Sequence, residues 1–419
     1  MKQVLLISPY FLPSNVAGVH RVRLMSGGLA LHGWTPTIVA VDPFCYEEPS
    51  DPALLPLIPD GVRIERVSAW PAWFCRPFGL GDISLRSQFA LRRKVGELVR
   101  ELRPAVIFAT VLPGYTSLVG SWAKKHFHIP FVLDYQDPWV STAPNPARSG
   151  KARAANFLAC VIEPKVLPNV DALTAVSNAT LDSLRSRNLI ATNVPIEIIP
   201  IGADAGDHSL AARFGRSVIK RDDQSFHITY VGTVTHHMRA PLAVFLEAVQ
   251  QLRHKSGTRV RVYLIGTFEP DVAAMSREAG MEDCVTIHPS RVGYLDALRT
   301  MQDSDMLVLL GSIDSHYTAS KLFPYWLSGK PIVGLFHKAS TVVPLSEELG
   351  GVSLVLFDEG HPPSTVLAEL LSILEAVVEG KAIARERNVA AFEPYSSSGV
   401  ARRYARLFDR VSAPVGSAN

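Results

Sequence analysis

The chain has 419 residues, 47% of them apolar and 19% charged, with a net charge of +3. That length exceeds the roughly 250–300 residues at which single cores stop growing, so two domains are expected. The small net charge excludes the strong basic field of a nucleic-acid binder, and Cys45, Cys75, Cys160 and Cys284 are too scattered for a metal knuckle or a disulfide framework.

Val4-Leu5-Leu6-Ile7, behind Met1-Lys2-Gln3, is too short for the apolar core of a signal peptide and reads as a first strand. No apolar run approaches the ~18 residues of a membrane span. A cytoplasmic protein is expected. Strand-like runs follow at Thr37–Val41, Val62–Val67, Val106–Ala109, Phe131–Asp134 and Ala172–Ala175. Between the third and fourth, Phe89, Leu91, Val95, Leu98 and Val99 recur at helical spacing over Arg86 to Leu102. The connection before that helix, Trp70-Pro71-Ala72-Trp73-Phe74-Cys75-Arg76-Pro77-Phe78, is rich in aromatics and is followed by Arg86, Arg92, Arg93 and Lys94. Such a segment either meets a membrane surface or folds onto its domain core, and the second is expected here.

After Pro195-Ile196-Glu197-Ile198-Ile199-Pro200-Ile201-Gly202-Ala203-Asp204 comes a polar stretch ending near Arg221-Asp222-Asp223. A second series then starts at His227–Val231 and continues with Val260–Ile265, Val285–Ile287, Met306–Leu310, Ile332–Phe336 and Ser353–Phe357. Helical patterns at Pro241–Leu252, Tyr294–Gln302 and Thr365–Val378 separate these runs. Two βα series imply two doubly wound α/β domains, residues 1–204 and 205–396, with a terminal segment 397–419. The helix Ser398–Val411 in that segment carries Arg402, Arg403, Arg406 and Arg410.

Three loops hold the chemistry. Ser320-Lys321-Leu322-Phe323-Pro324-Tyr325-Trp326-Leu327-Ser328-Gly329-Lys330-Pro331 lies between two strand runs, and its helix stops at Gly329 and Pro331. Loops leaving the carboxyl ends of strands and opening helices are where α/β sheets take ligands. Lys321 sits in the first turn of that helix, where a cation is unfavourable unless an anion shares the site. The alternative is a surface lysine whose stem lies along the helix. Val231-Gly232-Thr233 leads through His236-His237-Met238-Arg239 to Ala240-Pro241, where proline marks a helix start. Gly232 permits a tight turn and a close backbone approach to a ligand, and Arg239 can fork onto a diphosphate. Asp134 and Asp137, in Phe131-Val132-Leu133-Asp134-Tyr135-Gln136-Asp137-Pro138-Trp139, either orient acceptor hydroxyls or cap a turn. Asp137 is preferred because it lies beyond the strand. Of thirteen histidines, His236, His237 and His316 fall on these loops, and none has a zinc spacing. The Gly-x-Gly-x-x-Gly dinucleotide fingerprint is absent.

The 320–331 string resembles the nucleotide-sugar loop of family 4 of the retaining glycosyltransferases, which have the GT-B fold. It keeps Ser320, Lys321, Phe323, Tyr325, Gly329, Lys330 and Pro331. It departs at Pro324, where that family usually has glutamate, and at His316, where many members carry another. Leu5-Leu6-Ile7-Ser8-Pro9 with Ala17, Gly18 and Arg21 also matches, as do Val231-Gly232-Thr233 (threonine at the family's first basic position), Ala172–Ser177 and Ile199–Asp204. The resemblance implies a GT-B α/β protein of two Rossmann-like domains facing a cleft, with a C-terminal helix crossing back to the first. It implies transfer of a sugar, with retention and without metal or cofactor, from a nucleotide-diphosphate donor to a glycan, lipid-linked or small-molecule acceptor. The donor would be held by Gly18, Gly232, Arg239, Gly266, Arg291, Val292, His316, Ser320 and Lys321. Asp137, Arg239 and Lys321 would carry the chemistry. A peripheral contact with the inner membrane face fits a lipid-linked acceptor. A nucleotide-sugar epimerase and a non-catalytic nucleotide-sugar-binding subunit are the alternatives.

Overall fold

The computed structural model describes the chain except residues 49, 141–149, 222–223, 270–271, 289–291, 314–319, 382–383 and 414–419, and at residue 151 the backbone only. It divides into two units, Met1–Ile201 with Ser397–Asn419, and Gly202–Ser396.

The first unit is built on seven parallel strands: β1 (Lys2–Ile7), β2 (Trp34–Val41), β3 (Arg63–Val67), β4 (Val106–Thr110), β5 (Phe131–Tyr135), β6 (Ala172–Ala175) and β7 (Ile196–Ile198), in the order β3-β2-β1-β4-β5-β6-β7. Unbroken apolar runs suit strands covered on both faces, and Val4 to Ile7 and Val106 to Ala109 are fully buried. The winding reverses between β1 and β4, so the loops leaving these strands diverge and open a crevice at their carboxyl ends.

The second unit repeats the plan with six strands: β8 (Phe226–Val231), β9 (Val260–Ile265), β10 (Val285–His288), β11 (Met306–Leu310), β12 (Ile332–His337) and β13 (Val352–Phe357), in the order β10-β9-β8-β11-β12-β13. Its reversal falls between β8 and β11. The helix Arg239–Ser256 packs its Leu242, Phe245, Leu246, Val249 and Leu252 into a core with β8, β9 and β11.

The helix Ser397–Ser412 belongs to the first unit. Its Tyr404 and Phe408 meet Phe108 and Trp34 edge-on, while Arg406 and Arg410 stay exposed. Gly28 makes the approach possible, since a Cβ there would lie 2.7 Å from that of Ala401.

Two expectations change. The helix expected from Arg86 starts at Gln88, because Asp82 caps a separate turn, Ile83–Arg86, by accepting from the Ser84 and Leu85 amides. Within the helix from Gln88, Phe89 lies about 200° round from Leu91, so it points to solvent, 76% exposed, instead of joining Leu91, Val95 and Leu98 in the core. The aromatic connection does not fold onto the core either: Trp70, Trp73, Phe74 and Phe78 are all exposed. Among the described residues, no helix is long and apolar enough to cross a membrane.

Candidate functional site

The crevice of the second unit begins where a sheet pairing stops. β8 and β11 pair only at Ile228–Met306 and Thr229–Leu307, although both strands run further. Gly232 N–H turns to β9, donating to the Ile265 carbonyl, so the Val231 N–H points to the side that β11 has left. Tyr325 fills that place, its hydroxyl accepting from Val231 N at 2.7 Å, as a buried amide requires. Tyr325 thus ties the short helix Leu322–Leu327 to the parting strands.

Lys321 stands immediately before that helix. Its ammonium lies 3.4 Å from the Tyr230 hydroxyl and 5.0 Å from the centre of that ring. The Tyr230 hydroxyl donates to the Thr233 carbonyl at 2.7 Å, which turns an oxygen lone pair towards the ammonium. Gly232 is held at φ +157°, and a Cβ there would overlap the Lys321 Nζ. The glycine therefore makes room for a lysine, and the ammonium, not bare backbone, is what a ligand would meet. Gly266, at φ +137°, presses on the Gly232 carbonyl and supports the turn from behind. Burial pushes the Lys321 ammonium down to about 8, and no salt bridge to it is present among the described residues. A desolvated, uncompensated cation at a crevice is a hallmark of an anion site.

The two loops at the reversal also meet directly: Ile313 N donates to the His237 carbonyl at 3.0 Å. Arg239 is the first residue of its helix and is exposed, with Pro241 buried in the first turn. His236 and His237 are exposed, their rings 3.8 Å apart, and His236 Nδ1 is 3.5 Å from Glu269. Ser320 is exposed beside Lys321. The structure therefore brings Gly232, Lys321, Tyr230 and Tyr325 together, with Ser320 next to them in the chain and Arg239 on the joined loops. Val292 is half-buried and packs towards Ile219, Tyr263 and Ile265. Arg291 and His316 lie outside the described residues. Pro324 is the third residue of its helix, where an amide has no intrahelical partner, so proline costs no hydrogen bond there.

In the first unit, Gly18 has a packing reason. A Cβ there would lie 2.9 Å from Leu112 and 3.1 Å from the Gln136 side-chain oxygen. The loops after β1, β4 and β5 close on this glycine. Asp134 is committed to the fold. It accepts from Arg21 Nε at 3.1 Å, Thr174 Oγ1 at 2.6 Å and Tyr404 Oη at 2.9 Å, all buried. Arg21 also donates to the Pro200 and Ile199 carbonyls, so one guanidinium fixes the helix Val19–Leu29 against β5 and the chain's exit. Asp137, three residues on, is exposed, and partial desolvation by its surroundings lifts its carboxyl above the ordinary value. Tyr230 and Gln136 carry no signal in the sequence: each acts through a loop distant in the chain. Among the described residues, no cluster of His, Cys, Asp and Glu could hold a metal ion.

Residues 17–202 match the family described as Glycosyl transferase 4-like domain. The full chain is similar to the structure of Anabaena Alr3699/HepE in complex with UDP and glucose, at 14% identity, TM-score 0.60 and coverage of 98% of this chain and 100% of that one. It is also similar to an α,α-trehalose-phosphate synthase (UDP-forming) from Burkholderia vietnamiensis, at 12% identity, TM-score 0.57 and full coverage of both chains. A third likeness is to the UDP-GlcNAc 2-epimerase of Methanocaldococcus jannaschii, at 11% identity, TM-score 0.51 and coverage of 98% and 100%. No curated protein sequence matches. The two parallel sheets and these likenesses define a GT-B protein.

Proposed function

We propose that this chain is a retaining glycosyltransferase that takes its sugar from a nucleotide-diphosphate donor and gives it to a hydroxyl acceptor in glycan biosynthesis. The observation that carries this reading is the Lys321 ammonium over Gly232, desolvated and, among the described residues, held by the Tyr230 hydroxyl and ring but by no carboxylate. A diphosphate would supply the missing charge. Arg239 would add a fork of donors, and a charge-assisted hydrogen bond is worth roughly 1.5–3 kcal/mol. These interactions grow as charge develops on the departing diphosphate, so they favour the transition state over the ground state. Ser320, Val292, Arg291 and His316 are the proposed remaining donor contacts, with Asp137 on the acceptor side. No metal is needed for leaving-group stabilisation if both cations act. The UDP and glucose in the HepE complex support a nucleotide-sugar substrate here.

The test is a thermal-shift panel of UDP, GDP and ADP without magnesium, followed by NMR of the product anomer with the sugar nucleotide that stabilises most. One nucleotide at ~100 times its dissociation constant should add about 2.7 kcal/mol of stability. Absence of any shift at millimolar nucleotide would end the donor-site reading. Epimerised sugar nucleotide without acceptor would replace the transferase with an epimerase.

A further inference from the structure

The exposed aromatics of the first unit form a built surface. Trp70 stacks on Phe74 at 5.8 Å between ring centres, and Phe74 touches Trp73 and Phe78, each at 6.0 Å. Phe44, 99% exposed, and Phe89, 76% exposed, stand on the segments that Arg86 ties to this cluster through the backbone. That buried guanidinium donates to the carbonyls of Cys45 (3.0 Å), Trp70 (2.7 Å) and Gly81 (3.2 Å). It thereby gathers the loop bearing Phe44, the turn bearing Trp70 to Phe78, and the helix start bearing Phe89. Rings in an isolated loop would gain by burying themselves. Here the backbone is fixed so that six rings stand in solvent.

Four of these rings, Trp70, Trp73, Phe74 and Phe78, touch one another in solvent, and contiguous exposed apolar patches mark interaction sites. The chemistry of this one selects its partner. Tryptophan-rich apolar surface flanked by basic residues favours the interfacial zone of a bilayer, where rings enter the headgroup region and cations meet anionic lipid. From Ser68 to Lys94 the chain carries Arg76, Arg86, Arg92, Arg93 and Lys94 against the single acid Asp82. Arg76 pairs with Glu47, Arg93 with Glu97 and Lys94 with Glu65 and Glu97, while Arg86 is buried beside Glu47, so insertion of the aromatics supplies most of the binding and the exposed, partly paired Arg76 and Arg93 bias it towards anionic lipid. The loops bearing Phe44 and Trp70 leave the carboxyl ends of β2 and β3. Asp137 follows the carboxyl end of β5 in the same parallel sheet.

We propose that this aromatic surface docks the first unit onto anionic bilayers. It would set the acceptor-side end of the sheet at the headgroup level, where a lipid-linked acceptor presents its hydroxyl. The docking itself does not rest on the transferase reading; the acceptor class does.

The test is flotation of the full chain with vesicles of phosphatidylcholine containing phosphatidylglycerol, and with phosphatidylcholine alone, beside the double variant Trp73→Ser/Phe78→Ser. Both side chains are exposed, so an unchanged melting temperature is expected and guards against misfolding. The wild type should float with the anionic vesicles and less with neutral ones, and the variant's partitioning should fall about tenfold or more. Equal flotation of variant and wild type would overturn the proposal, as would failure of the wild type to float or indifference to lipid charge. A wild-type dimer that the variant dissociates, without flotation, would assign the patch to a second copy instead. None of these readouts needs sugar transfer, so they are independent of the nucleotide panel.

Discussion

Replacing Lys321 with methionine should make the protein more stable and unable to bind nucleotide. The ammonium is brought from its ordinary 10.5 to about 8 by burial alone, which corresponds to roughly 3 kcal/mol of disfavoured charge. Methionine keeps the stem's length and apolar contacts and removes that charge. It loses the favourable contact with the Tyr230 ring, worth about 0.5–1 kcal/mol. The net gain is therefore about 2 kcal/mol. For a unit of this size, about 2–4 °C per kcal/mol gives a rise of about 4–8 °C in the melting transition of the second unit, read by calorimetry near pH 7. The sign has a second check. Between about 8 and 10.5 the folded state has released a proton that the unfolded chain retains, so wild-type stability rises with pH across that window. The variant lacks this rise, and the gap between the two should close as pH increases. A lower or unchanged melting temperature, with the nucleotide-induced shift intact, would show that Lys321 is an ordinary solvated cation and that the anion site lies elsewhere.

Nucleoside diphosphate affinity should be flat below about pH 8 and fall roughly tenfold per pH unit above it, as the Lys321 ammonium is lost in the free protein; calorimetric titration on both sides of that value checks it. Gly232→Ala should weaken nucleotide binding and lower the melting temperature together, because its Cβ displaces the ammonium at a φ that suits glycine. Asp137→Asn should cut turnover while stability stays within about 0.5 kcal/mol, whereas Asp134→Asn, which breaks a buried pair, should cost on the order of 3–5 kcal/mol. The opposite ordering of those two variants would reverse the roles assigned to the carboxylates. His316→Ala should lower turnover or donor selectivity about tenfold, on the order of 1.4 kcal/mol, and unchanged kinetics across several donors would remove His316 from the site.

The strands were legible because parallel strands covered on both faces need unbroken apolar runs, and Val4–Ile7, Met306–Leu310 and Ala172–Ala175 stand in the sheets almost as read. The helix Ser117–Phe127 was not legible, since Ser117, Gly120 and Ser121 face the core where larger residues would signal a stripe. Gly120 is small because Phe131 fills the space above it, which only the folded contact reveals. Phe89 misled for the opposite reason: it is apolar, but two residues from Leu91, about 200° of helical turn, put it on the face away from Leu91, Val95 and Leu98. At the candidate site, loop position and charge single out Lys321 and Arg239, and the structure places them on loops that meet at the β8–β11 reversal. The packing of Lys321 over Gly232 was not legible, because a glycine that admits a ligand and one that admits a lysine look alike in sequence. Asp134 and Asp137 show the same limit: three residues apart, one is enclosed by Arg21, Thr174 and Tyr404 and the other is exposed.

Pro324 and His316 separate what the fold requires from what the chemistry requires. The first turn of a helix leaves its amides without intrahelical partners, so proline at 324 preserves the helix, the Tyr325 bridge to Val231 and the placement of Lys321. What it removes is a side-chain acceptor. A carboxylate at that place would hold a ribose hydroxyl and would also lie near the desolvated Lys321, raising its proton affinity and blunting its hold on an anion. Without it, the ammonium stays poorly compensated among the described residues and its value stays near 8. On the proposed function, this chain therefore shifts donor recognition from sugar and ribose towards the diphosphate. The selectivity that a carboxylate would have given must then come from His316 and the backbone, whose hydrogen bonds carry no net charge. Such a site should discriminate weakly among sugars on the same nucleotide and strongly between a diphosphate and a monophosphate. Competition by UDP and UMP against a series of UDP-sugars measures both ratios. A large preference for one sugar with little difference between UDP and UMP would contradict this division of labour.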